Sequence, residues 1–183
     1  MIRDEEIERL VHYAKGLGVE VVFSRKDSGN TSAQWALDGS QITIFVNKQD
    51  SKTDMILSLI HEIGHHVWFI HEKNRQPDLK FSEAISVQNL VETEDRDRPT
   101  PKKLRKKIYE VELASSYWWE TIYKETNLKF PIWKLYAQRE FDVWVYEHFY
   151  KTGHFPSRAE KREKWKAISQ LHRPKGETRK KIG

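Results

Sequence analysis

The sequence contains no cysteine. That absence excludes a disulfide-stapled scaffold and any zinc site built on thiolates, and it fits a reducing compartment. A long apolar run is also missing. The most hydrophobic stretch, Met55 to Ile70, is broken by His61, Glu62, His65 and His66 and is too short to span a bilayer. Residues Met1 to Glu6 lack the basic-then-apolar pattern of a signal peptide. There is no internal repeat, and no helix-turn-helix or zinc-finger spacing. These absences lead to the expectation of a soluble, cytoplasmic protein without a membrane partner.

What is present can build a core. A chain of 183 residues favours one compact domain, and 38% hydrophobic residues with seven tryptophans can fill it. The net charge of +5 is unevenly placed. Residues 151–183 hold eleven Lys and Arg against three Glu, a local balance of +8, which leaves the first 150 residues near −3. The expected organisation is therefore a body over residues 1–153 and a basic appendage over 154–183, a helix followed by a disordered tail from Arg173.

Helical spacing of Ile7, Leu10, Val11 and Ala14 predicts a first helix over Asp4–Leu17, stopped by Gly16 and Gly18. Val19–Ser24 reads as a short strand. Ser32–Leu37 and Gln41–Asn47 flank Asp38-Gly39, a dipeptide suited to the positive φ angles of a two-residue hairpin turn. Ser51-x-x-Asp54 resembles a capping box and starts a helix running to about Glu72. Phe81–Val91 is expected to form a short helix, and Glu92–Arg98 a charged loop. Thr100-Pro101 starts a third helix carried to Thr126 by Leu104, Ile108, Val111, Ser115, Trp118 and Ile122. Pro131 opens an aromatic helix ending near Gly153, and Ser157-x-x-Glu160 begins the last one. The fold class is α+β, mostly helical, with an antiparallel sheet of about three strands packed on the helix that follows it.

That helix carries His61-Glu62-Ile63-Gly64-His65, an HExxH sequence. Residues four apart lie one turn above each other, so both imidazoles can reach one metal ion, with the Glu62 carboxylate placed to take a proton from metal-bound water. Ile56, Ile60, Ile63, Val67 and Ile70 form an apolar stripe, and His61, Glu62 and His65 fall opposite it. The helix should thus be buried on most sides, and buried polar groups need partners. Zn²⁺ would supply one. Gly64 in mid-helix suggests close approach of another group.

A catalytic zinc takes three protein ligands and one open position. Three residues compete for the third. His71 keeps the ten-residue offset of HExxHxxGxxH sites, but Trp68 stands where that pattern has the glycine that turns the chain. Glu112 flanks the apolar stripe of the third helix, with small Ser115 and Ser116 next to it. Glu110 lies on the other side of that helix as a fallback. Glu112 fits best. His66, Tyr117 and His148 are candidates for an oxyanion donor.

A short helix, a small β-hairpin, His61-Glu-Ile-Gly-His-His66 and a later helix bearing Glu112-Leu-Ala-Ser115 together resemble the ImmA/IrrE group of HExxH zinc peptidases over about residues 1–127. The relatives carry a Glu-x-x-Ala type motif downstream, followed by Asn or Asp, where this chain has Ser116. The resemblance implies a zincin-like fold, metal ligands His61, His65 and Glu112, Glu62 as catalytic base, and a phage or mobile-element setting. It also implies regulated cleavage of one protein partner, such as a transcriptional repressor, in the host cytoplasm. An extended substrate could then pair with strand Gln41–Asn47. The rival expectation is a nucleic-acid-binding or regulatory module with a non-catalytic zinc, using Lys161, Arg162, Lys164, Lys166 and Arg173 around Trp165 to contact phosphates.

Overall fold

The computed structural model describes residues 4–25, 33–36, 39–46, 51–75 and 100–175. In chain order the elements are α1 (Glu5–Gly16), β1 (Glu20–Ser24), β2 (Ala33–Trp35), β3 (Gln41–Phe45), α2 (Lys52–Arg75), α3 (Lys102–Ser116), α4 (Trp119–Glu125), α5 (Ile132–Thr152) and α6 (Arg158–His172). The fold is α+β and mostly helical, with one small sheet. The expected helix at Phe81–Val91, the loop at Glu92–Arg98 and the end of the tail beyond Lys175 lie outside the described residues. No helix among the described residues is long and apolar enough to cross a membrane.

Local chemistry explains most boundaries. Asp4 caps α1 by accepting from the Glu6 and Ile7 N–H groups at 3.0 and 3.4 Å. The capping box expected at α2 is present: the Ser51 N–H donates to Asp54 Oδ2 (2.9 Å) and the Asp54 N–H to Ser51 Oγ (3.2 Å). α6 starts on the same device, Ser157 with Glu160. Gly153 ends α5 in the left-handed region, at φ 86°.

Two expectations need correction. The sheet is mixed, not antiparallel: its order is β1-β3-β2, with β1 parallel and β2 antiparallel to β3. The chain reaches β2 before β3, and β3 then returns between the two outer strands, where it must run alongside β1 in the same direction. The β2–β3 register, with Trp35 opposite Ile42, is the one the expected Asp38-Gly39 turn requires. The Ala36 N–H donates to the Gln41 carbonyl at 2.7 Å and Gly39 lies at φ 74°, while Leu37 and Asp38 lie outside the described residues. Finally, the helix expected to run unbroken to Thr126 is interrupted at Tyr117-Trp118, separating α3 from α4. Ser115 and Ser116 donate their hydroxyls to the Glu112 and Leu113 carbonyls (2.9 and 2.7 Å), and the next N–H groups fall back on carbonyls three residues earlier. Such side-chain competition for helix carbonyls bends or ends a helix.

The main core joins α1, the sheet, α2 and α4 through Leu10, Ile42, Ile44, Ile56, Ile60, Ile63, Trp119 and Ile122. A smaller cluster, Ile108 and Phe149 flanked by Leu104 and Tyr146, lies between α3 and α5. α6 packs on α5, burying Ile168, while Leu171 stays exposed. Trp165 meets Phe141 edge-on, and Lys161, Lys164 and Arg173 sit over the rings of Phe155, Trp144 and Trp133. Two of these charges, Lys164 and Arg173, are thus laid along the aromatic surface of α5.

Candidate metal centre

α2 runs straight through Trp68 to Arg75, and its face opposite the apolar stripe presents His61, Glu62 and His65. α3 crosses it at close range, as Gly64 foreshadowed. A Cβ on Gly64 would lie 2.9 Å from the Trp119 ring and 3.0 Å from the Ser115 carbonyl oxygen. Ser115 and Ser116 are themselves buried. Small residues on both helices therefore set the approach that carries Glu112 to the histidines.

His61, His65 and Glu112 converge, each offering one ligand atom. His61 Nε2 and His65 Nε2 are 3.1 Å apart. Glu112 Oε2 is 3.3 Å from His65 Nε2 and 3.6 Å from His61 Nε2. Tetrahedral ligands bound at about 2.1 Å are separated by about 3.4 Å, so the triangle has the edges a zinc ion needs. A shared proton would satisfy only part of this set, whereas one cation satisfies all three atoms. The donor set, two imidazoles and one carboxylate, suits Zn²⁺ with a fourth position open.

The electrostatics point the same way. Burial by itself would lower the His61 pKa, but the Asp142, Glu112 and Glu62 carboxylates outweigh it and push it up to about 10. Burial likewise opposes the charged form of Glu112, yet His65, His61 and a hydrogen bond from Tyr146 hold its carboxyl below the usual range. The centre is a place where positive charge is favoured at neutral pH. Indole rings pack both imidazoles: Trp35 of β2 stacks on His65 with ring centres 6.4 Å apart, and Trp119 meets His61 at 5.5 Å.

Other expected participants lie elsewhere. His71 is exposed on the outside of α2 and rests on Trp118, 4.7 Å between ring centres. Glu110 is exposed and pairs with Lys106 at 3.5 Å. Of the oxyanion candidates, His66 is bonded to the Leu17 carbonyl (3.1 Å), Tyr117 lies under Arg139, and His148 rests against Trp144. β3 is hydrogen-bonded to a strand on each side, so it cannot take an added substrate strand as expected.

Two residues missed in the sequence border the site from α5. Asp142 Oδ2 stands 3.6 Å from His61 Nδ1, and Tyr146 packs beside Ile108, one turn before Glu112, with its hydroxyl in the field of the Glu112 carboxylate. Burial, together with the Glu112, Asp142 and Glu62 charges, raises the Tyr146 pKa well above its ordinary value. Their one sequence signal is a lone acid in the apolar run Phe141-Asp-Val-Trp-Val-Tyr146. Set beside known proteins, the chain matches no family model, no curated protein and no solved structure.

Proposed function

We propose that the protein is a zinc-dependent metallopeptidase of small zincin-like fold that hydrolyses a peptide bond in a specific protein partner. The observation carrying this reading is the triangle of His61, His65 and Glu112 ligand atoms, with Glu62 buried between the two histidines in sequence. When bound, zinc supplies Lewis acidity, acidifying water and polarising a carbonyl. Glu62 accepts the proton of the attacking water and later passes it to the leaving amine. Trp35 and Trp119 wall the two histidines with apolar rings, limiting water around the reacting groups.

The resemblance to the ImmA/IrrE peptidases supports the same assignment through the HExxH helix and Glu112-Leu-Ala-Ser115. From it follow the proposed substrate, a transcriptional repressor, and the proposed setting, a host cytoplasm reached by a phage or mobile element. The test is metal analysis of the purified chain together with a cleavage assay on candidate repressors. One zinc per chain is expected, with cleavage lost to a chelator and restored by Zn²⁺. A zinc-free chain, or cleavage indifferent to the chelator, would count against the reading.

A further inference from the structure

We infer that α5 is the outer wall of the metal centre, with Asp142 orienting His61 and Tyr146 orienting Glu112 as positioning residues for the ligands. The inference rests on the metal site of the proposed function, not on its peptidase chemistry.

Gln138, Asp142 and Tyr146 are spaced four apart on α5, so they share one helix face. Gln138 Nε2 donates to Asp142 Oδ1 at 2.9 Å, which leaves Oδ2 as the oxygen turned to His61 Nδ1. At 3.6 Å that contact is an ion-pair distance rather than a closed hydrogen bond. Its consequence is directional. With Nδ1 drawn to Asp142, the opposite ring nitrogen, Nε2, is the one that faces His65 and Glu112. A carboxylate on the far nitrogen also favours the Nδ1–H tautomer, which leaves the Nε2 lone pair free to bind a metal.

Tyr146 does the corresponding work on the third ligand. Its ring packs against Phe149 and against Ile108, one turn before Glu112 on α3, which sets the hydroxyl beside the Glu112 carboxylate, whose Oε2 is the atom turned to both histidines. A buried glutamate has several rotamers, and a fixed donor reduces them to the one that completes the triangle. The ring is held in turn by Phe155, edge-on at 5.9 Å, and by the Ile108–Phe149 cluster. One helix thus orients two of the three ligands, from two different helices, through residues one turn apart.

The experiment uses the full chain with Asp142→Asn and Tyr146→Phe. Zn²⁺ affinity is read by competition with a chromophoric chelator, the absorption spectrum of the Co²⁺-substituted protein reports ligand geometry, and the thermal midpoint of the metal-free chain reports folding. Each substitution is expected to weaken zinc by about 10–100-fold and to alter the Co²⁺ spectrum, with little change in the metal-free midpoint. Affinities within about threefold of the parent, with an unchanged spectrum, would overturn the inference. If Asp142→Asn lowers the metal-free midpoint, the Nδ1 proton of His61 in the unaltered zinc protein decides by NMR. A slowly exchanging resonance supports the Asp142 contact, and a rapidly exchanging one removes it. A chain that holds zinc through these residues but cleaves nothing would sink the peptidase reading alone, and a chain that binds no zinc would sink both.

Discussion

Glu6 and Glu112 are both buried carboxylates whose pKa lies below the usual value, and their surroundings differ in kind. At Glu6, burial is outweighed by donors the protein supplies itself. Lys52 Nζ stands 2.7 Å from Oε2, and the Lys129 and Phe130 N–H groups both donate to Oε1. That corner pins α1 to the start of α2 and to the segment before α5. It is complete without anything from outside. At Glu112 the oxygen faces two imidazole nitrogens that themselves need a partner. Burial of a charge is tolerable in either place only because an opposite charge is near, and at Glu112 that charge has to come from protonated histidine or a bound cation. The contrast separates a carboxylate that completes a structural corner from one placed where it could hold a metal: burial and pKa direction are shared, and only the identity of the neighbours distinguishes them.

A third buried glutamate makes the sharpest test. Glu62 occupies the same helix face as the histidines but falls outside the ligand triangle. Glu62→Gln is expected to keep stoichiometric zinc and to lower cleavage by about 10²–10⁴-fold, the usual contribution of a general base. Full activity in this variant would remove Glu62 from the mechanism.

Exchanging the fates of the two other glutamates comes next. Glu112→Ala should weaken zinc by more than the 10–100-fold typical of outer partners, and His71→Ala should leave it nearly unchanged. Zinc at about 100 times its Kd should stabilise the parent by about 2.7 kcal/mol, and Glu6→Ala by the same increment, while Glu112→Ala should gain little at that concentration. Thermal melts with and without zinc read all three. Zinc loss in His71→Ala with retention in Glu112→Ala would reverse the comparison and place the third ligand on α2.

Packing at the α2–α3 crossing should matter to Glu112 more than to Glu6. Gly64→Ala puts a methyl group against Trp119 and the Ser115 carbonyl, an overpacking that costs about 1–3 kcal/mol. Because Ser115 follows Glu112 by one turn, the same variant should also bind zinc more weakly. An unchanged zinc affinity would show that α2 and α3 have slack at their crossing.

The smallest effect is in acid. The folded pKa of Glu6 lies below its ordinary 4.5, so the native state holds fewer protons than the unfolded chain near that pH. Its contribution to stability is therefore complete above about 4.5 and is lost as pH falls through the folded value. Denaturant titrations of the metal-free chain should show Glu6→Gln less stable than the parent at neutral pH by about 1–3 kcal/mol, with the gap closing in acid. A gap independent of pH would mean that Glu6 acts through shape rather than charge.

The sequence by itself determined the periodic and locally capped parts of this protein. The HExxH spacing, Gly64 as a contact point, the capping box at Ser51 and the helix start at Ser157 are properties of a few adjacent residues, and all are present as read. The place of Glu112 beside the two histidines was legible too, because its helical phase and small neighbours are local facts. Strand direction was not. A parallel partner is chosen by how the chain crosses between strands, which alternation of side chains does not encode. The break at Tyr117-Trp118 was hidden because the apolar stripe continues across it, while the serine hydroxyls that interrupt the ladder act through geometry. Asp142 and Tyr146 were hidden for a related reason: 81 residues separate His61 from Asp142, and no local pattern says which ring nitrogen a distant carboxylate will meet. Tertiary structure decided that, by laying α5 along α3 beside the α2–α3 crossing.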